Sequence, residues 1–120
     1  MNLSEQVCSL ELAKKLLTLG VKQNSYFSWL KLTGQYEVWP TNYLNNRECA
    51  AFTVAELMNI LPILNGMPCE LIKIADLRKG LYYCCRYWND IENTHAEATN
   101  AADACAKMLI YLIENGLYEP

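Results

Sequence analysis

Asn100 to Leu117, NAADACAKMLIYLIENGL, is the stretch whose reading decides the fold. Apolar side chains recur at Ala101, Ala102, Cys105, Met108, Leu109, Leu112 and Ile113. That three-then-four spacing is the stripe of a helix laid against a core. Gly116 supplies a residue free to take the left-handed conformation that ends a helix, and Leu117 stands where a contact back onto the last turn is expected. Within this helix, MLIYLI is the longest uninterrupted apolar run of the chain. It is far shorter than the roughly 20 residues a bilayer span needs. No membrane is therefore expected as a partner.

Upstream, the sequence alternates helices with hairpins. SLELAKKLLTLG predicts a first helix with Ser9 as N-cap, a stripe of Leu12, Ala13, Leu16 and Leu17, and a stop at Gly20. Ser25 to Leu32 and Gln35 to Trp39 read as strands around a Thr33-Gly34 turn, with Pro40 as terminator. The polar, Asn-rich Thr41 to Cys49 reads as a loop. Thr53 and Glu56 then form a capping box and Phe52 and Leu57 a hydrophobic staple, which predicts a short helix from Val54 to Leu61. Cys69 to Leu77 and Leu81 to Trp88 read as a second hairpin turning at Arg78-Lys79-Gly80, and Asn89 to Asn100 as an acidic connector. The expected architecture is one α+β domain over residues 1–120. A mostly antiparallel sheet of about four strands packs with three helices in the order helix, hairpin, helix, hairpin, helix.

Composition sets the class. The chain has 120 residues, 52% of them hydrophobic and 19% charged, which suits a single folded core. A formal net charge of −3 gives no broad basic face, so nucleic acid is not an expected partner. The N-terminal residues show no secretory signal pattern, and the six cysteines are expected to be reduced thiols in a cytoplasm rather than a disulfide framework.

No catalytic or metal constellation emerges from the spacing. Cys84 and Cys85 are adjacent in a strand and point to opposite faces, so they chelate no common metal. There is no Cys-x-x-Cys motif, and His95 is the only histidine. Thr94 and Glu97 match a capping-box spacing, which makes His95 a solvated residue near a helix start. The five glycines stand singly, so no phosphate loop is present. Neither a cofactor nor a metal is expected.

The second hairpin carries more chemistry. Arg78 and Lys79 occupy its turn, and Tyr82, Arg86 and Trp88 share one strand face by period 2. Tyrosine, tryptophan and arginine anchor protein interfaces, and they equally stack on a base or grip a phosphate. The plainer alternative is a half-buried sheet face with a snorkelling arginine. Asp90, Glu92, Glu97 and Asp103 form an acidic run beside them, of which Asp90, Glu92 and Glu97 join the candidate interaction surface. Carboxylates near a helix start also simply favour its dipole.

Three segments carry a resemblance: VCSLELAKKLLTLGVKQNSYFSWL (Val7 to Leu30), AFTVAELMNILP (Ala51 to Pro62) and AKMLIYLIENGL (Ala106 to Leu117). In that order they resemble a group of small proteins of bacteriophages and prophages, especially those of gut bacteria. The element order and alanine-rich last helix are also loosely similar to phage α-β-α sandwich proteins. Small size, the absent catalytic constellation, the aromatic and acidic surface and this resemblance together lead us to expect a non-catalytic binding protein directed at a host protein, such as a component of a bacterial defence system. The resemblance itself assigns no site residues. The alternatives are a binder of a nucleotide-type signal through Arg78, Lys79, Tyr82, Arg86 and Trp88, a homo-oligomeric assembly protein joined by a sheet edge or the last helix, and an enzyme built from separated segments.

Overall fold

The computed structural model describes residues 2–41, 47–88 and 94–120. Its central element is the last helix, α3 (Ala101–Glu114), and the burial pattern is broader than a single stripe. Ala102, Ala104, Cys105, Ala106, Met108, Leu109, Ile110 and Leu112 are all buried. Only Lys107, Tyr111 and Glu114, one thin line at helical spacing, are exposed. Helix α1 (Leu10–Thr18), helix α2 (Val54–Ile60) and two strands of one sheet all pack against it. A helix wrapped on several sides needs small residues where neighbours approach closely, and the alanines supply them. Burying Met108, Leu109 and Leu112 contributes about 1.5–3 kcal/mol each.

Both ends of α3 are set locally. Asn100 Oδ1 accepts from the Ala102 N–H at 2.7 Å and the Asp103 N–H at 3.3 Å. At the other end, Leu117 N–H donates to Leu112 O and Gly116 N–H to Ile113 O, with Gly116 at φ +70°. That is the paired closing bond of a Schellman motif. In α2 the capping box forms as its sequence predicts: Glu56 N–H donates to Thr53 Oγ1 at 3.2 Å and Thr53 N–H to Glu56 Oε1 at 2.9 Å. Phe52 and Leu57 beside it are fully buried. Ser9 differs from expectation. It precedes α1 but makes no side-chain cap, and its N–H instead donates to Asp103 Oδ1 at 2.6 Å, fastening α1 to the first turn of α3.

The expected single sheet of four strands is, among the described residues, six strands in two three-stranded antiparallel sheets. The first has β1 (Phe27–Leu32) between β2 (Gln35–Pro40) and β3 (Arg47–Ala50). The second has β5 (Gly80–Tyr87) between β4 (Cys69–Asp76) and β6 (His95–Ala98). The strand β3 corrects the reading of Thr41 to Cys49 as all loop, and residues 42–46 lie outside the described residues. The strand β6 likewise corrects the connector. Glu97 pairs opposite Cys84 in a ladder, so it caps no helix, and Asn100 is the actual N-cap. The β1–β2 turn is the two-residue Thr33-Gly34, both at positive φ, the geometry whose twist matches a hairpin.

Candidate functional site on the open face of the second sheet

The pleat of the second sheet divides its residues into two sets. Leu71, Tyr83, Cys85, Tyr87, Ala96 and Ala98 pack with the core under α3. Glu70, Ile72, Ile74, Tyr82, Cys84, Arg86, His95 and Glu97 therefore point the other way. No helix among the described residues packs on that second face. Its residues form rows across the strands: Glu70 beside Arg86 beside His95, Ile72 beside Cys84 beside Glu97, and Ile74 beside Tyr82.

The first row holds the charged cluster. Arg86 Nε lies 3.6 Å from Glu70 Oε2, close enough for an ion pair. Its guanidinium carbon stacks 4.0 Å from the centroid of the Trp88 ring. The Trp88 indole N–H donates to the same carboxylate oxygen, Glu70 Oε2. Arg86 Nε is nevertheless buried without a hydrogen bond. An exposed ion pair contributes up to about 1 kcal/mol and a cation–π contact about 0.5–1 kcal/mol. The cluster therefore organises the face more than it stabilises the fold.

A second cluster lies nearer the turn. Lys79 Nζ is 3.5 Å from Glu97 Oε2 and 5.4 Å from the Tyr82 centroid. His95 Nε2 lies 3.7 Å from Glu97 Oε1. The turn itself is held by Asp76, whose Oδ1 accepts from Lys79 N–H at 3.0 Å and Arg78 N–H at 2.7 Å. Those two bonds hold the Asp76 carboxyl below its usual pKa, Lys79 more than Arg78. Burial raises the Cys84 thiol in the middle of the face.

Of the residues singled out from the sequence, Lys79, Tyr82, Arg86, Trp88 and Glu97 thus come together, with Arg78 exposed on the turn beside them. Asp90 and Glu92 lie outside the described residues. Asp103 has a structural task at Ser9 and leaves the acidic run. Sequence reasoning missed Glu70, Ile72 and Ile74, and it read His95 as solvated near a helix start where the structure places it in β6 opposite Arg86. The alternation in CELIKIAD puts isoleucines on one face and Leu71 on the other, so apolarity alone does not tell the open side from the core side.

Concave space lies elsewhere. A cleft of about 690 Å³ is bordered by Leu3, Glu5, Phe27, Val54, Tyr83 and Asn100, at the starts of α2 and α3. Among the described residues no group of three or more His, Cys, Asp and Glu side chains is placed to hold a metal, and no helix is long and apolar enough to cross a membrane. No protein-family model, curated protein or solved structure matches the chain.

Proposed function

We propose that this chain is a non-catalytic binding protein that presents the open face of β4–β5–β6 to a protein partner. The observation that carries this reading is one sheet face, covered by no helix among the described residues, on which Ile72, Ile74 and Tyr82 share a surface with the stacked Arg86–Trp88 pair. Aromatic, aliphatic and arginine side chains within one patch are the composition of interface anchors. The resemblance to phage and prophage proteins directs the search to a host protein, with a defence component as first candidate. A nucleotide ligand draws less support, because Arg86 and Lys79 already have carboxylate neighbours that lower what they offer a phosphate. Assembly with a second copy has one observation in its favour, the eight-residue edge strand β4. Light scattering that gives the mass of one chain removes that alternative.

The test is capture from host lysate with immobilised wild-type chain and three variants. The wild type retains one protein stoichiometrically. Ile74→Glu and Trp88→Ala weaken retention by about tenfold or more, since an anchor contributes more than about 1.4 kcal/mol. Leu17→Glu, on the exposed side of α1, leaves retention unchanged. Retention of nothing, or retention indifferent to the two face substitutions, refutes the proposal.

A further inference from the structure

All six cysteines are free, and five of them are buried. The exception is Cys69, half-exposed at the first position of the edge strand β4. Its Sγ lies 2.9 Å from Cys85 Sγ on the core face of the sheet, across 16 positions of chain. Cys69 and Cys85 are diagonal neighbours, since Cys69 pairs with Tyr87 and Leu71 with Cys85. Sheet twist draws one diagonal of each such pair together, and here it is this one. A disulfide needs about 2.05 Å between sulfurs, so the two atoms are within about 0.9 Å of bonding distance. Cys84 points to the opposite face and cannot compete.

We propose that Cys69 and Cys85 form an oxidisable dithiol that closes to an intramolecular disulfide on meeting a low-molecular-weight disulfide, with Cys69 as the entering thiol. The division of labour follows from access and from the hydrogen bonds. Cys69 is the one cysteine that is not buried. The neighbouring Cys85 thiol, by hydrogen bonding to it, holds Cys69 below its ordinary pKa and so favours its thiolate. Cys85 is fully buried, and its contacts with Cys105, then Cys69, push it up. It resolves rather than enters.

The chemistry balances as thiol–disulfide exchange. Cys69 thiolate attacks one sulfur of the small disulfide and expels a thiolate, leaving a mixed disulfide on Cys69. The expelled thiolate takes up one proton. Cys85 then attacks Cys69 Sγ, the bond to the small thiol breaks, and the proton of Cys85 passes to that second leaving group. The protein loses two protons and two electrons, and one small disulfide becomes two small thiols. The new bond lies directly beneath the Glu70–Arg86 pair, because each cysteine precedes one of those residues in the chain.

The experiment uses glutathione disulfide on the reduced native chain, followed by alkylation and peptide mapping. Wild type yields a Cys69–Cys85 linked peptide, two glutathione molecules released per chain, and no lasting adduct. Cys85→Ala stops at a glutathione adduct on Cys69. Cys69→Ser loses both products, and its remaining thiols react about tenfold or more slowly. A lasting adduct on wild-type Cys69, a linkage through Cys84 or Cys105 instead, or six thiols left unreacted overturns the proposal. The wild-type map decides the question even where a variant fails to fold.

Discussion

Asn100 ties the N-terminal segment to the start of α3. Its Oδ1 caps α3, while its Nδ2 donates to Glu5 O at 3.0 Å and Val7 O at 3.2 Å in the N-terminal segment. Val7 itself is fully buried. The two functions separate by substitution. Asn100→Ala removes both: the cap contributes about 0.5–2 kcal/mol, and two donated bonds about 0.5–1.5 kcal/mol each, giving a loss of about 1.5–5 kcal/mol. Asn100→Asp keeps an equally good cap but has no N–H for the two carbonyls. It is expected to cost about 1–3 kcal/mol, from the bonds alone. Urea unfolding followed by circular dichroism reads these values directly, and the slope must stay constant for them to count as stability changes. With a slope of about 1–3 kcal/mol/M, the alanine midpoint falls by roughly 1–2 M and the aspartate midpoint by less. An aspartate variant as stable as wild type would show that the clamp on the N-terminal segment carries no energy, and the reasoning would fail.

Four further outcomes are expected. Leu109→Ala in the fully buried face of α3 costs about 2–5 kcal/mol, whereas Leu77→Asp on the fully exposed β4–β5 turn changes stability by less than about 0.5 kcal/mol. Comparable losses in the two variants would contradict the placement of the core. Thr33 is a β-branched residue at φ +47°, so Thr33→Asn raises stability by about 0.5–1 kcal/mol in the same urea assay, and no gain argues against that turn geometry. The Asp76 carboxyl is depressed, so its support of the turn is present above the unfolded pKa and lost as pH falls through the folded one. The Arg78 and Lys79 amide signals should therefore titrate with a midpoint below 3.8, and a midpoint at or above that value contradicts the two bonds. Arg86→Leu removes a buried, unbonded Nε while leaving Glu70 its bond from Trp88, so stability is unchanged or higher by about 1 kcal/mol. A loss above 2 kcal/mol means that the ion pair holds the sheet.

The parts of the fold legible in the sequence are those specified by their own residues. Thr53 and Glu56 fix the start of α2 across three positions, Thr33-Gly34 fixes a hairpin, and Gly116 ends α3. Period-2 alternation likewise places Tyr82, Arg86 and Trp88 on one face without knowledge of a partner strand. The strands β3 and β6 are different. Arg47-Glu48-Cys49-Ala50 and His95-Ala96-Glu97-Ala98 have little intrinsic preference for extended structure and become strands only by pairing with β1 and β5. Ala96 and Ala98 suit β6 because α3, which follows it in the chain, folds back over it, a packing contact that four residues of sequence do not reveal. The Thr94–Glu97 spacing imitates a cap, and only Asn100, bonded to two α3 amides, shows where the helix begins. The multi-sided burial of α3 is equally invisible to a single stripe, because Ala104 and Ala106 are neutral in any helical pattern.

The three segments that carry the resemblance fall on α1 and β1, on α2, and on α3. These elements supply most of the buried residues, and none of the three segments includes β4, β5 or β6. A resemblance carried by the core elements alone leaves the outer face of the second sheet free to differ, because fold and binding surface are specified by different residues. Trp88 is exposed there, and Ile72, Ile74, Tyr82 and Arg86 are half-buried. Under the proposed function, the partner is sought through variants of that face, with binding read separately from folding, rather than through the helix that carries the resemblance.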